Sequence, residues 1–114
     1  MLITENKSLE KLYHMGIMGV VYFRRDNPIS CMGRTYDTLM PRYWQTVTFI
    51  WDYYLSGMVH AMLDPTVMKK YLEKWMSMDI HTCFGLEYIS GKTVGPWYAI
   101  NDHAMVMMIK QYLQ

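Results

Sequence analysis

HTCFGLEYISGKTVGPWYAI, residues 81–100, is the stretch on which the fold turns. From Thr82 to Ile89 its residues alternate. Phe84, Leu86 and Tyr88 fall on one side of an extended chain, and His81, Cys83, Gly85 and Glu87 on the other. Ser90, Gly91 and Lys92 supply hairpin-like turn chemistry. Thr93 to Ile100 then reads as a return strand that Pro96, lacking an amide donor, confines to a sheet edge or shortens.

Helical patterns flank this strand pair. Upstream, Asp64 and Pro65 form a helix start, because an aspartate accepts from early amides and proline fits the first helical position. Met68, Tyr71, Leu72 and Trp75 follow at i, i+3, i+4, i+7, with Lys69, Lys70, Glu73 and Lys74 on the other side. Downstream, Asn101 or Asp102 caps a last helix in which Met105, Met108, Ile109 and Tyr112 repeat the same spacing.

Further out, residues 39–63 predict a long central helix. Pro41 is tolerated in its first turn, and Trp44, Val47, Trp51, Leu55, Met58 and Met62 make one apolar stripe. Phe49, Ile50, Tyr54 and Val59 add apolar area elsewhere, so this helix is expected to be buried on more than one side. The threonine and tyrosine content from Thr46 to Tyr54 is a competing strand signal. Near the start, Leu9, Leu12 and Tyr13 predict a helix over 5–15, capped by Thr4 or Asn6 and interrupted by Gly16 and Gly19. Val20 to Phe23 predict a strand covered on both faces, ended by Asp26, Asn27 and Pro28. Residues 29–38 are expected to be a loop with room for a short strand.

Strands and helices therefore do not alternate regularly. The expectation is an α+β fold: a small antiparallel sheet of about three strands packed against about four helices, over one compact domain spanning 1–114. The composition agrees, since a chain of 114 residues with 52% hydrophobic and 18% charged residues has the apolar surface that disordered chains lack. A formal charge of +1 provides no global field for nucleic acid or an anionic membrane. Residues 43–63 are long enough to span a bilayer, but Gln45, Thr46, Thr48, Ser56 and His60, with Asp52 near their middle, argue against a membrane segment. The N-terminal stretch carries Glu5 and Glu10 and no apolar run, so no signal peptide is expected. Two cysteines, Cys31 and Cys83, are too few for a disulfide framework, which points to a cytoplasmic protein with reduced thiols.

Thirteen methionines, ten tyrosines and four tryptophans are the unusual feature. Methionine fills irregular core gaps and also suits adaptable binding surfaces, while tyrosine and tryptophan concentrate at interface centres. All four arginines, Arg24, Arg25, Arg34 and Arg42, lie close together, interspersed with Tyr36, Tyr43 and Trp44. Guanidinium forks suit carboxylates and phosphates and stack on aromatic rings, so these seven residues are the partner- or anion-binding candidate. The competing reading is a solvated loop whose arginines pair with Asp26 and Asp37.

His81, Cys83 and Glu87 are the candidate catalytic set, one face of a strand on which a base could activate a thiol. The competing reading is a buried structural cysteine. Methionine pairs such as Met15 with Met18 and Met58 with Met62 read as packing, and no metal or cofactor is called for. Gly91, Lys92 and Thr93 end like a phosphate-binding loop, but Leu86 stands where that loop requires glycine.

Two functional readings follow. The first is a small non-catalytic interaction protein that binds and modulates or inhibits a protein partner, as phage- or plasmid-borne inhibitors of host systems do. Homo-oligomerisation is a further expectation, and binding of nucleic acid or membrane is not. The alternative is a small enzyme or ligand-binding protein using Cys83, His81 and the arginine segment on an anionic substrate.

Overall fold

The computed structural model describes residues 2–36 and 46–114. It is an α+β fold with five helices and two small antiparallel sheets among those residues. The first helix, α1 (Lys7–Tyr22), starts where the sequence offers a cap. The Asn6 side-chain oxygen accepts from the amides of Ser8 at 3.0 Å and Leu9 at 3.1 Å. The helix then runs through Gly16 and Gly19, which were expected to end it, and takes in Val20, Val21 and Tyr22, which were expected to form a strand. Each glycine costs only about 1 kcal/mol against alanine in a helix. Two such penalties do not stop a capped helix whose half-buried Val20 packs on the core. It ends where the Phe23 amide turns back to the Val20 carbonyl, at 3.1 Å.

The strand β1 (Arg24–Asp26) therefore begins one residue after the stretch predicted to be extended. It pairs antiparallel with β2 (Arg34–Tyr36), the short strand for which residues 29–38 had room. Gly33, at φ 70°, turns the chain into β2.

Of the long helix expected over 39–63, residues 39–45 lie outside the described residues, and the rest is divided. Val47–Phe49 is a strand, β3, followed by α2 (Ile50–Leu55) and α3 (Gly57–Leu63). The strand signal prevails at Val47, Thr48 and Phe49 because β4 (Gly85–Glu87) supplies a ladder partner, pairing Val47 with Glu87 and Phe49 with Gly85. The break between α2 and α3 sits at Ser56 and Gly57. A Cβ on Gly57 would stand 1.9 Å from the Gln111 side-chain oxygen, so a larger residue here would push that flexible side chain aside.

The next helix, α4 (Pro65–Met76), follows the sequence closely. Asp64 caps it by accepting from the Val67 amide at 3.2 Å, and Val67, Met68, Tyr71, Leu72 and Trp75 are buried. β4 is shorter than the alternation over 82–89 suggests, and the return strand is short, the second of the two outcomes that Pro96 allows. β4 pairs with β5 (Thr93–Val94), which gives the order β3-β4-β5. The return strand stops at Gly95, at φ 72°, and Pro96 follows. The last helix, α5 (Ile100–Leu113), starts one residue before the expected caps. Asn101 is instead buried in its first turn, and its amide nitrogen donates to the carbonyls of Ile80 at 3.0 Å and Cys83 at 2.7 Å.

The core lies between α2, α4, α5 and the three-stranded sheet. Trp75, Tyr71, Tyr53, Ile50, Met68, Leu86 and Met108 are all fully enclosed there. At its centre the rings of His60, Tyr53 and Tyr71 form a column, with successive centroids 3.9 Å apart. No described helix is long and apolar enough to cross a membrane.

Candidate functional site

The arginine segment is organised by two carboxylates. Pairing of β1 with β2 sets Asp26 opposite Arg34 and Arg24 opposite Tyr36. Asp26 then sits between Arg34, at 2.6 Å, and Arg24, at 2.9 Å. Arg34 hydrogen bonding, with Arg24 adding to it, holds the Asp26 carboxyl below the usual range. Arg34 also reaches the Asp64 carboxylate at 3.3 Å, and the Tyr36 hydroxyl donates to the same oxygen at 3.0 Å. Burial pulls the Asp64 carboxyl upward, but the Val67 amide, Tyr36 and Arg34 together hold it below its ordinary value.

These contacts change what the segment offers. Arg24 and Arg34 are tied to acids of the same chain, and Tyr36, at 8% exposure, is enclosed. Asp26 is the partner the sequence named. Asp64 was not foreseen, because it is far off in sequence and its N-cap role alone explained it. Arg25 is half-buried and has no ion pair among the described residues. Arg42, Tyr43 and Trp44 lie outside the described residues.

The three residues of the thiol candidate go separate ways. Residues 79–82 form turns rather than strand, so alternation does not carry His81 onto the Cys83 face. The His81 ring lies between Asp102, at 2.7 Å, and Asp79, at 3.3 Å. Cys83 is fully buried under α5, and burial, with Asp79 adding to it, pushes its thiol upward and away from the reactive thiolate. Glu87 accepts from the amides of Ile89 at 3.2 Å and Ser90 at 2.6 Å, which fixes the β4–β5 turn. Among the described residues no group of three His, Cys, Asp or Glu side chains is placed to hold a metal ion.

Two concave surfaces were not visible in the sequence. One, of about 520 Å³, lies between the turn before β2 and the outer face of α4. Ser30, Cys31, Lys70, Glu73, Lys74 and Ser77 line it, so both signs of charge face it. Burial raises the Cys31 thiol, and the nearby Lys74 ammonium only partly offsets this. The other, of about 430 Å³, is a groove between α1 and α3. Leu12, Tyr13, Gly16 and Ile17 form one wall, and Val59, Met62 and Leu63 the other. Its lining is apolar but for the Tyr13 hydroxyl.

That groove exists because α1 is the least embedded of the described helices. None of its sixteen residues is buried, whereas each of the other described helices buries at least two. Leu9, Leu12, Met15, Met18 and Tyr22 remain exposed along it, and Met58 and Met62 continue the apolar surface onto α3. A helix apolar on most of its circumference is ordinarily enclosed. No family model, curated protein or solved structure matches the chain.

Proposed function

We propose that this chain is a non-catalytic interaction protein whose α1–α3 groove receives the apolar face of a helix from a protein partner, and that binding modulates or inhibits that partner. The groove carries this reading. It is walled by two helices, apolar, and lined by Met62, with the exposed Met58 on the same helix, and such flexible thioethers adapt to a partner's side chains. An amphipathic helix laid into such a groove is a recurring mode of recognition. Arg25, just beyond the end of α1 and without an ion pair among the described residues, is available for a partner carboxylate. We place the action in the cytoplasm, where the two unpaired thiols stay reduced. The alternative chemistry at Cys83 and His81 has less support, since the thiol is enclosed and the imidazole is held by two aspartates.

Gly16 gives a clean test. A Cβ there would meet nothing within 4 Å, so Gly16→Leu extends its side chain into the groove that Gly16 lines. Affinity capture with the wild-type chain should retain a stoichiometric protein partner that Gly16→Leu loses, with circular dichroism unchanged. Equal capture by both chains would remove the groove from the account.

A further inference from the structure

The groove uses only one side of α1. Successive residues turn by about 100° on a helix, so Lys11, Met15, Met18 and Tyr22, at i, i+4, i+7 and i+11, share a stripe opposite the groove wall of Tyr13 and Ile17. The described residues leave this stripe open: Met15 is 60% exposed, Met18 63% and Tyr22 83%. We infer that a second copy of this chain covers it, the two α1 helices packing antiparallel across a two-fold axis between Met15 and Met18.

The stripe is suited to its own image. Its spacing of four, three and four residues reads the same in both directions about its midpoint. An antiparallel copy therefore sets Met15 against the partner's Met18, and Lys11 against the partner's Tyr22. Lys11 is exposed and has no ion pair among the described residues. Its ammonium meets an aromatic face there, and a cation over a ring is attracted by the ring quadrupole. The two helix dipoles oppose each other, and each copy brings the same self-complementary patch that a two-fold interface requires.

The area fits a small dimer. Met15, Met18 and Tyr22, with the stems of Lys11 and His14, make a contact smaller than the roughly 1,200 Å² of standard specific interfaces, in the range of weak and transient association. Association in the micromolar range is the matching strength. This contact is separate from the groove, so the two surfaces are tested by different variants.

Sedimentation equilibrium of the full chain from 1 to 200 µM tests the inference. The apparent mass should rise from 13.6 kDa towards twice that value across the series. Met15→Glu with Met18→Glu should remain monomeric with an unchanged circular dichroism spectrum, and Gly16→Leu should dimerise as the wild type does. In a Cys31→Ser background, a mixture of Met15→Cys and Met18→Cys chains should form the crossed disulfide faster than either chain crosslinks to itself. A wild-type chain that stays at 13.6 kDa at 200 µM overturns the inference, and so does a dimer indifferent to the double glutamate variant. Neither result touches the groove, which Gly16→Leu tests alone.

Discussion

The imidazole of His60 lies flat on the ring of Tyr53, with centroids 3.9 Å apart and planes 6° from parallel. On its edge the Nε2 atom is 2.8 Å from the Ser56 hydroxyl, while Nδ1 is buried with no partner among the described residues. Tyr36 approaches from β2, with ring centroids 5.8 Å apart, and Tyr71 stacks on the far side of Tyr53. Among the described residues no carboxylate is paired with the ring, and burial lowers the His60 pKa to about 4.

Acid should therefore weaken the fold in two stages. An unfolded histidine titrates near pH 6.5, so between about 6.5 and 4 the unfolded chain binds the proton that folded His60 refuses. The stabilisation is complete above that window and declines as pH falls through it, by up to about 3 kcal/mol. The lowered carboxyls of Asp26 and Asp64 act in the window below, where protonation breaks their pairs with Arg34. Urea melts at pH 7.5, 5.5 and 4.5 should show the first decline, and His60→Phe should flatten it while leaving the lower one. An unchanged slope in His60→Phe would assign the upper window to another group.

A second prediction compares two glycines with the same backbone. Gly33 and Gly95 have φ near +70°, a region that L side chains enter at a cost of roughly 1–2 kcal/mol. A Cβ on Gly33 meets nothing within 4 Å. On Gly95 it would stand 1.6 Å from the Phe84 ring, which is stacked between Phe49 and Tyr98 and has nowhere to go. Gly33→Ala should cost about 1 kcal/mol by chemical denaturation, and Gly95→Ala about 3 kcal/mol or more once overpacking is added. Equal losses would mean that the ring yields and that backbone strain alone sets both values.

What could be foreseen divides by distance along the chain. The start of α4 was legible because Asp64, Pro65 and the stripe from Met68 to Trp75 act within a few turns. The strand at Val47–Phe49 showed only as a signal competing with helix, because its partner β4 lies far along the chain and only the assembled ladder tips the balance. The arginines stood out as a cluster, yet the carboxylate that ties Arg34 and Tyr36 to α4 came from outside it. The shared face of His81, Cys83 and Glu87 assumed extended chain throughout, and turns at 79–82 broke that register. The groove was beyond reach for another reason. The apolar residues of α1 fit a buried helix as well as an exposed one, and local pattern does not say whether a neighbour arrives.

A third prediction concerns Asn101. Its side chain is fully enclosed and spans from α5 to the loop before β4 through two donated hydrogen bonds. Asn101→Ala strands the carbonyls of Ile80 and Cys83, which should cost about 2–3 kcal/mol. Asn101→Asp should be worse, since it aims a carboxylate at those two carbonyl oxygens in an enclosed site. The nearby Cys83 thiol gives a direct readout. Loosening this tie should expose it to a thiol reagent in both variants faster than in the wild type. A variant that loses stability without exposing Cys83 would place the effect elsewhere in α5.

The last prediction separates the two tasks of Asp64. One oxygen caps α4 through the Val67 amide, and the other receives Arg34 and Tyr36 from β2. An asparagine in its place would keep a capping oxygen but lose the charge, whereas alanine would lose both. Asp64→Asn should cost less than about 1 kcal/mol at pH 7, because its arginine is well exposed and such pairs are weak. Asp64→Ala should cost about 2 kcal/mol, most of it the cap. Added salt sharpens the distinction. Screening should weaken the wild-type pair and shrink the difference between wild type and Asp64→Asn, while the loss of the cap in Asp64→Ala persists. If 0.5 M salt left the cost of Asp64→Asn unchanged, hydrogen bonding by Tyr36, and not the Arg34 charge, would be what holds β2 to the start of α4.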